Sequence, residues 1–213
     1  MKKIVIICVG DFAKEVAWLI EDINANNPVY ELLGFLDDDE KNIGKNINGY
    51  KCIGKIDLLL KLAKEETVYA TIATQRSSYR KKIVEENPDF CNWETLIHPS
   101  ANISNSVKLG FGCIVCANCN ISVDATIGNH CILNLGATVG HDCEINDYVS
   151  IMSGTVISGH VKAGESAYFG SNSTVLPGMK IGMNSKIGAG SVVIRNVKDG
   201  VTVMGVPARV IAL

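Results

Sequence analysis

The chain has four histidines, His98, His130, His141 and His160, and one of them sits where it can do chemistry. His141 follows Val139 and Gly140 and is next to Asp142. An imidazole titrates near neutrality and can take a proton from an incoming nucleophile. A carboxylate beside it can orient the ring and stabilise the imidazolium that forms. Gly159 lies further along, and a backbone N–H without a side chain over it can meet a developing oxyanion. The dyad needs a scaffold that turns a corner at His141 and brings Gly159 back beside it.

That scaffold is written in the spacing of the aliphatic residues. From Ile103, steps of six reach Leu109, Val115, Ile121, Ile127, Leu133, Val139 and Ile145, and the series runs on to Ile187 and Val193. Two places before each stands a small or modest side chain, among them Cys113, Cys119, Ala125, Cys131 and Cys143. Six is a multiple of the strand period of two and not of the helical 3.6, so the pattern predicts short strands joined by corners. Three hexads make one coil of a three-sided prism. Each coil buries its core only against its neighbours, at the strand spacing of about 4.8 Å. Gly159 then falls one coil above His141. A prism side admits only apolar and small residues, so His130 and His160 are expected at corners as surface imidazoles on different edges.

The eight cysteines spell Cys-x-x-Cys-x-x-Cys at Cys113, Cys116 and Cys119. Cys113, Cys119, Cys131 and Cys143 all fall on the small inward register, where a free cysteine packs as a small hydrophobe. No metal is expected. The first 97 residues read differently. Residues 3–9 form an apolar run suited to a buried parallel strand. Gly10 follows, then helical spacing through Phe12, Val16, Leu19, Ile20 and Ile23. Leu32 to Leu36 is a second strand ending in Asp37, Asp38 and Asp39. Ile56 to Lys64 is a helix, Thr67 to Ala73 a third strand, and Arg76 to Glu86 a helix. Alternating strands and helices predict a small parallel, Rossmann-like α/β unit. Gly10 can present helix N–H groups to a phosphate, or simply turn the chain. Asp37 and Asp38 end a strand at the edge where such sheets bind ligands.

The expected organisation is an α/β domain over 1–97 and a prism domain over 98–213. Residues Asp199 to Arg209 leave the repeat as a C-terminal cap. A net charge of −2 gives no nucleic-acid footprint. No apolar run reaches the ~18 residues of a membrane span. The N-terminal run reads as a strand and not a signal peptide, which points to the cytoplasm.

These features in this order resemble the sugar O- and N-acetyltransferases of the sialic acid O-acetyltransferase type. Those include bacterial enzymes that N-acetylate nucleotide-linked 4-amino-4,6-dideoxy sugars. The strings are Gly34 to Asp39, Leu96 to Ala101, Leu133 to Ile145, Val175 to Gly178, Ile187 to Val193 and Asp199 to Arg209. The resemblance implies a left-handed parallel β-helix and a homotrimer with acetyl-CoA between neighbouring prisms. It also implies a place in surface polysaccharide, O-antigen or glycan synthesis. It matches His141 to the catalytic base and Asp142 to its supporting acid. Gly159 matches the glycine whose N–H meets the thioester carbonyl, and Asn134 an asparagine near the sugar. Asp37 and Asp38 match nucleotide-holding residues. Gly188 and Ala189 line the pantetheine arm, and Arg209 approaches the CoA end. Two departures stand out. The glycine-rich first loop is here Cys8, Val9, Gly10, Asp11, Phe12 and Ala13, and Ser150 stands where many relatives carry a second histidine.

The resemblance makes the leading expectation an acetyl-CoA-dependent N-acetyltransferase acting on a dTDP- or UDP-linked amino sugar, without a metal. Sugar O-acetylation and a non-catalytic nucleotide-sugar scaffold are the alternatives. A metal hydratase on the same prism would need a close histidine pair, and the prism histidines are 11 and 19 residues apart.

Overall fold

In the computed structural model the described residues are 1–25 and 27–211. They form two compact units, Met1–Pro99 and Ser100–Leu213.

The first unit is an α/β layer. Strands β1 (Lys2–Ile7), β2 (Tyr30–Leu36), β3 (Asn46–Ile47), β4 (Tyr50–Gly54) and β5 (Val68–Ile72) make one sheet in the order β3-β4-β2-β1-β5. All pairs are parallel except β3 with β4. Ile4 to Ile7 are buried on both faces, as the unbroken apolar run of β1 requires. Helix α1 (Asp11–Asn24) turns Phe12, Val16, Leu19 and Ile20 into the core. Helices α2 (Leu58–Glu65) and α3 (Ser77–Glu86) complete the unit. The β3–β4 hairpin was not expected. Its signal is the Asn48-Gly49 pair, whose positive φ values of 49° and 93° fit the two central residues of a tight hairpin turn.

The second unit is a left-handed parallel β-helix of two-residue strands. Partners along each prism side are 18 residues apart: Ile121 with Val139, Ile127 with Ile145, Leu133 with Ile151. The aliphatic series is buried as one column of stacked side chains from Val115 to Val193, flanked by the small series. Cys113, Cys119, Cys131 and Cys143 occupy that small series, and each donates its thiol to the carbonyl 15 residues on, at 3.1–3.2 Å. Thr155 does the same to the Gly170 carbonyl at 3.0 Å. These four cysteines are buried and form no disulfide. From Leu109 to Ile187 the third residue after each aliphatic takes positive φ, as at Asp124 (57°), Gly136 (66°), Asp142 (55°), His160 (60°) and Asn172 (56°). Gly adopts this conformation without penalty, and Asn, Asp and His are the other types that tolerate it best. The chain leaves the repeat through Thr202–Met204, which pairs antiparallel with Arg209–Val210.

Phe169 is the largest side chain in the column, stacked between Ile151 and Ile187 and fully buried. Phe169→Ala is expected to lower stability by about 3–5 kcal/mol, read as a lower urea midpoint with an unchanged slope.

Candidate active site

The prism edge at His141 is built by the corner rule just described. Val139 ends a strand, His141 and Asp142 make the turn, and Glu144 starts the next strand. Asp142 takes the left-handed position. Its Oδ2 then reaches back to His141 Nδ1 at 2.8 Å. An ionised carboxylate only accepts, so Nδ1 carries the proton and Nε2 is left as a base. Both side chains are about half exposed.

Gly159 sits on the next coil, against the face of the ring. A Cβ there would stand 2.6 Å from both Cε1 and Nε2 of His141. The glycine is therefore a steric requirement of the imidazole.

The backbone N–H of Gly159 meets no acceptor among the described residues, and neither does that of His141. Another edge of the same prism shows why. There the N–H at the equivalent corner is taken by a side chain from the coil above. Asn129 donates to Asp147 Oδ1 at 2.7 Å, Phe111 to Asn129 Oδ1 at 3.2 Å, and Met183 to Asp199 Oδ1 at 2.8 Å. On the His141 edge the residues above are Gly159 and Pro177, and neither has a side-chain acceptor. Two N–H groups beside the imidazole remain open to a ligand.

His160 is exposed at a corner, as expected, and its coil brings it here too. It stacks one coil above Asp142, and its N–H donates to the His141 carbonyl at 2.9 Å. Its Nε2 lies 3.8 Å from Asp142 Oδ2, and its ring meets that of His141 edge-on at 4.9 Å. The signal is arithmetic: 160 is 142 plus one coil of 18. His130 is corrected. It is buried, 1% exposed, parallel to the Tyr148 ring at 5.3 Å and edge-on to Phe111. A glycine below (Gly112) and a tyrosine above make an enclosed slot at that corner. His98 is 3.0 Å from Asp22 of α1, within the first unit.

The remaining expected residues lie elsewhere. Asn134 is buried, its amide oxygen on the Leu135 N–H at 2.7 Å, and it belongs to a different corner from His141. Gly188 and Ala189 also stand on a different edge. Met204 packs against Gly188 and the Ala189 backbone against Gly170. Arg209 lies in the closing hairpin and is exposed. Ser150 is buried in a strand, paired with Ile132 and Tyr168. Cys143 is no candidate nucleophile: burial raises its thiol pKa above the usual value.

The first unit gathers a separate group at the carboxyl edge of its sheet. Gly10 caps α1 with open space around its Cα. Asp37 Oδ1 accepts from the Asp39 N–H at 2.9 Å and from Asn42 at 3.3 Å, and Asp38 Oδ1 accepts from the Ile56 N–H at 3.1 Å. Cys8, just after β1, holds a φ of 83° that suits glycine, a strain of order 1–3 kcal/mol. Burial, then Asp37 and Asp38, push its thiol up to about 12. Tyr79 of α3 faces the same cluster. Burial, then Cys8, Asp38 and Asp37, push its phenol up to about 12. Sequence reading marked Cys8 only as a departure from the glycine-rich loop and missed Tyr79. Asp11 points to solvent and pairs with Lys14 at 2.8 Å. That hydrogen bond, then the lysine charge, holds the Asp11 carboxyl below its usual pKa.

Known proteins share this fold. Residues 3–87 match the PglD N-terminal domain family. Perosamine N-acetyltransferase from Caulobacter crescentus, solved as a histidine-to-asparagine variant with CoA and GDP-perosamine, is 32% identical over 100% of this chain and 98% of its own, with a TM-score of 0.88. The acetyltransferase domain of PglB from Neisseria gonorrhoeae, solved with acetyl coenzyme A, is 30% identical over 99% of each chain, with a TM-score of 0.89. WeeI from Acinetobacter baumannii is 26% identical over 99% of this chain and 100% of its own, with a TM-score of 0.86. No curated protein sequence matches. The fold and these relatives together define an acyltransferase of the hexapeptide-repeat class. The chain belongs to the nucleotide-sugar N-acyltransferases of the hexapeptide-repeat superfamily.

Two substitutions test the edge. Gly159→Ala is expected to keep the fold, since its φ is not left-handed, and to cost on the order of 10² in turnover by displacing the ring. Pro177→Asn restores the acceptor used on the other edge. It is expected to lower kcat on the order of 10² by occupying the Gly159 N–H, with thermal stability maintained or raised by the added hydrogen bond.

Proposed function

We propose that the chain is an acetyl-CoA-dependent N-acetyltransferase acting on the 4-amino group of a nucleotide-linked 4-amino-4,6-dideoxy sugar. The observation that carries the chemistry is the 2.8 Å His141–Asp142 contact beneath the unclaimed N–H of Gly159. The sugar amine attacks the thioester carbonyl, and His141 Nε2 takes the amine proton. Asp142 holds Nδ1–H and balances the imidazolium charge. The carbonyl oxygen, now an oxyanion, accepts from the Gly159 N–H. Collapse breaks the C–S bond, and the imidazolium returns its proton to the departing thiolate of CoA. No covalent acetyl-enzyme is needed.

The nucleoside diphosphate is assigned to the first unit, at Gly10, Asp37 and Asp38, with Tyr79 beside them. Asn134 is kept as a proposed sugar contact, and Gly188, Ala189 and Arg209 as CoA contacts. Gly188 and Ala189 share no edge with His141, so one CoA touching both sets is best served by two prisms. That favours a homotrimer with acetyl-CoA between neighbours. Acetyl-CoA as the acyl donor favours a cytoplasmic enzyme supplying surface polysaccharide or O-antigen synthesis. An amine acceptor is favoured over a hydroxyl by the relatives, which include a perosamine N-acetyltransferase. That relative holds GDP-perosamine, which adds guanosine to the expected dTDP and UDP carriers.

His141→Ala is expected to cost about 10²–10⁴ in kcat while the folded assembly persists. Near-normal turnover in that variant would remove His141 from the role. Competition by GDP, UDP and dTDP, weakened in Asp38→Asn, is the test of the nucleotide assignment.

A further inference from the structure

We propose that His141, Asp142 and His160 form a binding site for a divalent transition-metal ion, zinc above all, and that the ion silences the base. One nitrogen from each imidazole and one carboxylate oxygen lie within 4.8 Å of one another. The two measured pairs are 2.8 Å for His141 Nδ1 to Asp142 Oδ2 and 3.8 Å for His160 Nε2 to Asp142 Oδ2. Ligand bonds of about 2.0–2.2 Å in a tetrahedron put donor atoms about 3.3 Å apart, between those two values. Two imidazoles and one carboxylate are a ligand set zinc uses at open sites, with water in the fourth position.

Little has to move to close the set. The three side chains are 52%, 47% and 63% exposed, so small torsions can adjust them. Their backbones are held by the coil stack, His160 N–H on the His141 carbonyl and Asp142 N–H on the Val123 carbonyl. The site is thus assembled from two successive coils and lies wholly within the second unit.

The effect on the base follows from proton bookkeeping on one ring. An ion on Nδ1 takes the lone pair of that nitrogen, so the neutral ring must carry its proton on Nε2. Nε2 is then a donor and no longer accepts from an amine. The ion therefore blocks proton removal without touching the sugar or the thioester. This consequence rests on the proposed role of His141; the site itself does not.

The test uses the metal-free full-length enzyme in a Cys91→Ser background, which removes the exposed thiol. Cobalt(II) reports the site by its visible d–d absorption, and zinc displaces it. Expected are one ion per chain and loss of turnover at the same zinc concentration that displaces cobalt. His160→Asn keeps a residue type that tolerates the left-handed backbone. It is expected to lose the cobalt spectrum, and to weaken zinc inhibition, read against its own zinc-free turnover, by more than about tenfold. No cobalt spectrum in the parent, or equal zinc sensitivity in His160→Asn, overturns the site. Stoichiometric binding with turnover intact upholds the site and overturns His141 as the base.

Discussion

The interaction on which the molecule depends is the backbone ladder that joins each coil to the next, 18 residues on. Its N–H and C=O groups have no other partners in the core of the prism, so the register is strict. A slip of one residue would turn the aliphatic column outward. The same strictness makes the site. His141 must lie under Gly159 and Asp142 under His160, because Val139 must lie under Ile157.

A repeat so regular makes its exceptions readable. The corner position after each strand has two uses in one prism. Along one edge Asn129, Asp147 and Asp199 close the N–H groups of the coil below. Along the His141 edge Gly159 and Pro177 decline to do so. Leaving donors open costs stability that the other edge recovers, and such local breaches of a structural rule are where function is found. The first unit shows a parallel case: Cys8 holds a glycine's backbone angle at the sheet edge beside Asp37 and Asp38.

Much of the fold and half of the site are legible in the order of residues. The hexad spacing names the prism, the inward register explains the cysteines, and the His141–Asp142 pair with Gly159 one coil later locates the dyad. Less visible are features that depend on a neighbour in the stack. His130 reads as surface until Tyr148 and Gly112 enclose it. His160 reads as solitary until its coil places it over Asp142. The β3–β4 hairpin hides in a short polar stretch where only Asn48-Gly49 signals a turn.

Sequence alone determined which residues face the core, because a period of six assigns each side chain to an inward, outward or corner position. It also determined that His141 has a carboxylate neighbour. Only tertiary structure decided what each corner residue meets, since that depends on the residue three hexads away and on the reach of its side chain. The 2.8 Å contact, the open N–H groups and the third ligand from the coil above all arise from stacking, and no single hexad contains them.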